Sequence, residues 1–240
     1  MIIKIAKKLL YKLYYVSSNE RYKKYLRKRG AEIGEYSDFL SPAKTYIDEG
    51  RASFITIGKQ CVICRGVTIL VHDYSWSVLR KSDNIIAPTG GGPVNIGDNV
   101  FIGANAIILR NTTIGSNVII GAGAVVSGNI ENNVVVAGNP GKVIMTLDNF
   151  KNRRTENLVD EAKRNAIYIY QKYNRKPNLK EMSNFSILFL PRTENNLKTH
   201  ILNHSYVGDD KMEWHNHFLD TEPLYSDFDE FIEVMLKDVV

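Results

Sequence analysis

From Ile96 onward an aliphatic residue recurs at every sixth position: Ile96, Ile102, Ile108, Ile114, Ile120 and Val126. Glycine usually follows it, at Gly97, Gly103, Gly115 and Gly121, and a small or β-branched residue stands four places on. The same frame runs upstream through Ile57, Ile63 and Ile69, and more faintly through Ile33 and Phe39. A period of six matches neither a 3.6-residue helix nor the alternation of a half-buried strand. It matches a solenoid in which each six-residue unit forms one short side and three sides close a coil. The aliphatic side chain then points inward and stacks on its equivalent one coil away. Gly and Asn beside it are expected at the corners, where positive φ is often needed.

Breaks in the period mark where the coil is interrupted. Thr45 and Arg51 fall out of frame, so irregular coils are expected there. From Ile57 to Ile96 there are 39 residues, three more than whole units allow, so a loop must leave the coil. That loop is 74–93, closing on Gly90-Gly91-Gly92, which reads as a hinge. The solenoid is assigned to 31–147. Ahead of it, 1–30 reads as a basic amphipathic helix with Ile2, Ile5, Leu9 and Leu13 on one stripe.

Behind it, 148–240 reads as a mixed, mostly helical extension. Leu158, Ala162, Ala166, Ile169, Tyr170 and Tyr173 form a helical stripe after a Thr155 cap, and Pro177 interrupts. Phe185 to Leu190 reads as a strand. Ser226 with Asp229 reads as a capping box ahead of Phe231, Ile232 and Met235. The extension is expected to pack on the solenoid or seal an open coil end. The fold class is therefore mainly β, with helical flanks.

Composition narrows the function classes. Two cysteines among 240 residues exclude a disulfide-built scaffold, and 44% apolar residues exclude wholesale disorder. Residues 1–30 carry ten Lys/Arg against one Glu, whereas 31–149 and the tail are each slightly acidic. The basic balance thus belongs to the N-terminal segment, which suits a packed cap with a solvated face or peripheral contact with an anionic membrane. No nucleic-acid motif accompanies it, so no nucleic-acid partner is expected. Lysines interrupt the first apolar run and no stretch approaches bilayer length, so cytoplasmic residence, with possible membrane association, is the expectation.

The run Pro93-Val94-Asn95-Ile96-Gly97-Asp98-Asn99-Val100-Phe101-Ile102-Gly103 and the closing Val135-Val136-Ala137-Gly138-Asn139-Pro140-Gly141-Lys142-Val143-Ile144 resemble the hexapeptide-repeat acyltransferases. In particular they resemble the saccharide O-acetyltransferases of surface-polysaccharide assembly and their galactoside and maltose relatives. The resemblance covers roughly half of the chain. It implies a left-handed parallel β-helix, an exception to the right-handed crossover rule. It also implies a homotrimer with a site in each cleft and acetyl-CoA as co-substrate.

His72 is the solenoid's single histidine and stands immediately before the loop. Acetyl transfer to a hydroxyl needs a base that works near neutral pH, and imidazole meets that need. In the resembling family the histidine ahead of the extruded loop has this role. Asp73 is the neighbouring candidate for orienting the ring, although adjacent residues on a flat side point opposite ways. Tyr74 and Trp76 are candidates to stack on a sugar, with Arg80 and Asn84 as further acceptor contacts. The resemblance places CoA along Gly103, Ala104, Gly121, Ala122 and Ser127, with Lys142 near its phosphates. An N–H near Gly103 or Ala104 is the candidate oxyanion donor. Phe101 stands where relatives often carry Trp, and Met145 where galactoside-type members carry a second Arg.

Cys61 and Cys64 form a C-x-x-C, but their register assigns them to coil packing. His200, His204, Glu213, His215 and His217 lack a diagnostic ligand spacing, so no metal is expected. A zinc-dependent anhydrase on this frame would need several solenoid histidines. The leading expectation is an acetyl-CoA-dependent O-acetyltransferase acting on a sugar or polysaccharide-precursor hydroxyl. Transfer to an amino sugar or other small amine is the alternative.

Overall fold

The computed structural model describes residues 13–83, 86, 90–197 and 207–239. The chain divides into two compact units, Met1–Asp148 and Asn149–Val240. The first is the expected left-handed parallel β-helix, built from three parallel sheets that each take one short strand per coil. The first sheet runs through Glu32–Ile33, Ile55–Ile57, Val94–Ile96, Thr112–Ile114 and Asn129–Ile130. The second runs through Asp38–Phe39, Val62–Ile63, Val100–Ile102, Val118–Ile120 and Val134–Ala137, and the antiparallel strand Lys142–Thr146 closes it. The third holds Tyr46–Ile47, Thr68–Ile69, Ile107–Ile108 and Val125–Val126.

The aliphatic frame becomes three buried columns. Ile33, Ile57, Ile96 and Ile114 stack in the first sheet, Phe39, Ile63, Ile102, Ile120 and Val136 in the second, and Ile47, Ile69, Ile108 and Val126 in the third. Each inward side chain contributes about 1.5–3 kcal/mol by leaving water, which sets the register against slippage. At the corners the expected division of labour is altered. Asn99, Asn105, Asn111, Asn117 and Asn133 carry the positive φ, while the repeat glycines Gly58, Gly97, Gly103 and Gly115 do not. Those glycines serve close approach instead: a Cβ on Gly58 would lie 2.5 Å from the Gly97 carbonyl oxygen, one coil away. The corner asparagines also bond in a ladder, Asn99 Nδ2 donating to Asn117 Oδ1 (2.8 Å) and Asn117 Nδ2 to Asn133 Oδ1 (3.0 Å).

A helix, Asn19–Lys28, packs on this core. Ser18 accepts from the Arg21 N–H at its N-cap. Tyr22, Tyr25 and Leu26 are buried with Ile33, Phe39 and Ala52, and the Tyr22 and Phe39 rings meet edge-on at 5.1 Å. Most of the stripe expected at Ile2, Ile5, Leu9 and Leu13 lies outside the described residues; Leu13 is exposed. No described helix is long and apolar enough to cross a membrane.

The second unit packs helices Leu158–Tyr173, Lys211–Leu219 and Phe228–Leu236 around Ala162, Ala166, Phe189, Phe218, Phe231 and Met235. Three local expectations are corrected. Thr155 lies inside a preceding helix, Leu147–Glu156, with its hydroxyl turned back to the Lys151 carbonyl, so it caps nothing. Ser183–Leu188 forms a 3-10 helix where a strand was expected. The final helix is capped by Asp227, which accepts from the Glu230 N–H, while Glu230 accepts from Ser226. The box is real but shifted by one residue from the Ser226–Asp229 reading. His215 and His217 lie on the Lys211–Leu219 helix, and His200 and His204 fall outside the described residues.

Candidate active site

The coil breaks twice at one corner, the one that follows the third sheet. After Ile47 the chain makes a 3-10 turn, Glu49–Phe54, before rejoining the first sheet at Ile55. One coil on, Ile69 pairs with Ile47, and the chain departs at His72 into the loop. The loop returns through an antiparallel bridge between His72 and Gly91, flanked by Asp73 N–H to Gly90 carbonyl (3.1 Å) and Gly92 N–H to Val71 carbonyl (2.9 Å). The two breaks therefore face each other across one coil spacing.

This juxtaposition gives the imidazole its partner. His72 Nδ1 bonds the Asp48 carboxylate; the ring is 15% exposed and the carboxylate 8%. The carboxylate accepts from Nδ1–H, which fixes the tautomer and leaves the Nε2 lone pair free for a proton. The carboxylate on the ring is thus that of Asp48, where Asp73 was expected. Asp73 alternates to the other side of the strand and spends its carboxylate on Arg110 Nε (2.5 Å) and on Ser75, through its hydroxyl (2.5 Å) and N–H (3.0 Å). The Ser75 hydroxyl bond, then its N–H and the Arg110 guanidinium, hold the Asp73 carboxyl below the usual carboxylate range.

The three glycines that close the loop are seats for side chains. None of the three has positive φ. A Cβ on Gly90 would lie 2.7 Å from Asp73 Oδ2 and 3.0 Å from Arg110 Cζ. On Gly91 it would lie 3.0 Å from Arg51 Nη1, and on Gly92 only 1.5 Å from Asn111 Oδ1. The hinge reading is replaced by one of close packing.

The other candidates divide by corner. Tyr74 sets its ring edge-on to His72 at 4.9 Å and is 68% exposed, so a face is open beside the imidazole. Trp76 and Arg80 lie on the loop helix Trp76–Asp83; the Trp76 indole N–H is buried without a hydrogen-bond partner among the described residues, and Arg80 is exposed. Asn84 falls outside the described residues. Ser127 follows Val126 at the His72 corner, two coils on, and is exposed.

Gly103, Ala104, Gly121 and Ala122 lie at the preceding corner, after the second sheet, stacked so closely that a Cβ on Gly103 would meet Ala122 N at 2.5 Å. Lys142 is exposed and pairs with Ala137, which in turn stacks on Gly121, so it shares that corner. The Gly103 N–H is taken by the Ile120 carbonyl (2.8 Å), which removes it as an oxyanion donor and leaves Ala104 as the candidate. One chain therefore brings the base and acceptor candidates together with Ser127, but it holds the remaining donor candidates a coil side away.

Cys61 is buried in the coil with its Sγ 3.1 Å from the Gly97 carbonyl, and burial pushes both the Cys61 and Cys64 thiols up. That suits packing. Asp48, Arg51 and Arg110 were absent from the sequence candidates. The signal for the first two was present: the frame fails at Thr45 and Arg51, in the coil just before the His72 break.

A model of the bacterial transferase hexapeptide family (six repeats) matches residues 93–128. Protein CapG of Staphylococcus aureus is 37% identical over 156 residues, covering 62% of this chain and 87% of that protein. Among solved structures, the chain is similar to a galactoside acetyltransferase in complex with coenzyme A, at 27% identity and TM-score 0.45, over 61% of this chain and 80% of that one. It is also similar to a maltose O-acetyltransferase from Clostridium difficile 630, at 28% identity and TM-score 0.41, over 60% and 85%.

Proposed function

This chain belongs to the bacterial hexapeptide transferase family, and we propose that it transfers an acetyl group from acetyl-CoA to a saccharide hydroxyl with His72 as general base. The observation that carries the reading is the buried Asp48 carboxylate on His72 Nδ1, at the corner where the loop departs. The acceptor oxygen attacks the thioester carbonyl carbon while its proton passes to His72 Nε2. The tetrahedral intermediate collapses, the C–S bond breaks, and Nε2 returns the proton to the departing sulfur, giving an O-acetyl ester and CoA thiol. Asp48 steadies the imidazolium formed between the two proton transfers. The pantetheine arm needs backbone free of long side chains, and Ala104, Gly121 and Ala122, stacked beside the buried Gly103, offer it. Lys142 at the same corner suits the CoA phosphates, with Ala104 N–H as oxyanion donor.

A homotrimer completes this reading. The outward residues of the first sheet are polar, with Glu32, Thr56, Asn95, Thr113 and Asn129 in one row. Those of the second are apolar after Asp38, with Val62, Phe101 and Ile119 in register, and Phe101 is 41% exposed. An apolar face beside the donor corner supports packing against a copy, whose donor corner then reaches the His72 corner. On the N-terminal helix, Arg21, Lys24, Arg27 and Lys28, against the single acid Glu20, line a cleft of about 680 Å³ with Tyr14 and Tyr15, which supports peripheral contact with an anionic membrane. Co-sedimentation with phosphatidylserine vesicles tests that contact.

The transfer reading is tested by titrating CoA calorimetrically and by replacing His72 with Ala. The substitution is expected to lower kcat by about two to four orders of magnitude with CoA affinity retained. No CoA binding at high concentration sinks the enzyme reading, and undiminished turnover removes His72 as base.

A further inference from the structure

One charged side chain at the base has no role in the scheme above. Arg51 leaves the 3-10 turn three residues after Asp48, its N–H bonded to the Asp48 carbonyl at 3.1 Å. Its guanidinium lies over Gly91, Nη1 being 3.0 Å from where a Cβ would stand. Gly91 is the bridge partner of His72, and the flanking bonds make theirs a non-hydrogen-bonded antiparallel pair. In such a pair the two Cβ positions lie on the same face, about 4.5–5.5 Å apart. Arg51 Nη1 therefore stands on the face of the His72 side chain, within roughly 8.5 Å of its Cβ. Arg110 and Asp73 meet over Gly90, which the strand alternation puts on the opposite face.

The contrast in pairing is equally clear. Asp48 is taken by His72 and Asp73 by Arg110 and Ser75, while the Arg51 guanidinium has no hydrogen bond or ion pair among the described residues. A half-buried arginine whose guanidinium has no counter-ion among the described residues is a fork suited to a carboxylate or a phosphate. The exposed Tyr74 ring flanks His72 and offers a wall for a sugar.

We infer that the acceptor is an anionic saccharide, its carboxylate or phosphate held by Arg51 while a ring hydroxyl meets His72. The inference rests on the acetyl-transfer reading above and names the acceptor class. A hexuronic ring carries a carboxylate and hydroxyls on one compact frame, and a glycosyl phosphate carries a phosphate and hydroxyls likewise.

The test compares acetyl transfer by the full-length protein to methyl glucuronoside, glucosyl phosphate and neutral methyl glucoside, and to the matching galactose set. The expected result is a kcat/KM about 10- to 100-fold higher for one anionic class than for its neutral match. Preference for the uronoside assigns a carboxylate and preference for the glycosyl phosphate assigns a phosphate. Arg51→Gln is expected to bring that ratio close to one, and Arg51→Lys to keep part of it. Equal use of neutral and anionic acceptors by the wild type overturns the inference, whether or not Arg51→Gln folds. So does a loss in Arg51→Gln that is equal for both acceptors, or a matching rise in the KM for acetyl-CoA. CoA binding with transfer to neutral acceptors alone sinks the acceptor class and leaves the transfer reading standing. Absence of CoA binding and of all transfer removes both.

Discussion

Replacing Asp48 by Asn isolates the contribution of the carboxylate behind His72, the proposed base. Asn is nearly isosteric, so the 3-10 turn and the third-sheet strand it follows should hold their places. What changes is charge. The pair is well shielded, at 15% exposure for the His72 ring and 8% for Asp48, so solvent screens it little. A hydrogen bond to a charged group is worth about 1.5–3 kcal/mol, roughly twice a neutral one. Losing the charged component while keeping an amide acceptor should raise the barrier by about 1.4–2.7 kcal/mol, or 10- to 100-fold in kcat. If the amide turns its NH2 group toward Nδ1, the imidazole carries its proton on Nε2 and the loss approaches about 10⁴-fold.

The assay is steady-state release of CoA thiol with both substrates varied. The kcat should fall while both KM values stay within about threefold, because Asp48 touches neither substrate. The double variant His72→Ala/Asp48→Asn should be no slower than His72→Ala alone, since a residue that acts only through the ring has nothing to act on once the ring is gone. A kcat within threefold of wild type for Asp48→Asn would refute the orienting role. Multiplicative losses in the double variant would refute it equally, by showing that Asp48 acts without the ring.

The glycine reading predicts that Gly58→Ala, which forces a Cβ within 2.5 Å of the Gly97 carbonyl oxygen, destabilises the solenoid by about 1–3 kcal/mol, whereas Gly123→Asn is nearly neutral because Gly123 has φ +69 and open space; equal melting temperatures for the two would reverse the assignment. In the second unit, Arg175 and the Asn178 N–H hold the Glu181 carboxyl down at about 2 against an ordinary 4.5. A depressed carboxyl stabilises the fold above about 4.5 and loses that contribution as pH falls towards 2, so the melting difference between wild type and Glu181→Gln should shrink across that window; a constant difference would contradict the pairing.

The aliphatic frame made the three columns readable because the inward positions are filled by one residue class at one spacing. Ile96, Ile102 and Ile108 each open a unit, and the three sheets follow from counting. His72 was readable because it is alone in the frame and precedes its largest interruption. Asp48 was not, since it is an acidic residue in a stretch where the period fails, and its closeness to His72 depends on pairing Ile47 with Ile69 across 22 residues. The repeat glycines were located but misread in cause, because a positive φ and a close backbone approach call for the same residue. Only the register, which puts Gly58 against Gly97, separates the two causes. The capping error at Ser226 has a similar origin: serine and aspartate caps are interchangeable by type, and Asp227 was one residue nearer the helix.

A regular coil is a poor place for catalysis. Its inward positions are filled by packing, and its corners are pressed so closely together that Gly34, Gly58 and Gly97 have no room for a Cβ. Ionisable side chains can converge only where the stacking is relaxed, which here means the turn after Asp48 and the loop after His72. These lie at one corner in successive coils, so their convergence follows from the β-helix itself and needs no long-range folding event. The donor has the opposite requirement. A long, flexible pantetheine arm is held best by repeated bare backbone, and the proposed donor corner offers it where the period is strict, at Ala104, Gly121 and Ala122. The two needs thus select different corners of one chain, and a side of the prism keeps them apart. No rearrangement within a solenoid of stacked aliphatic columns can close that gap without breaking the columns. A second copy can close it at no cost to either, which ties the proposed activity of this protein to its self-association.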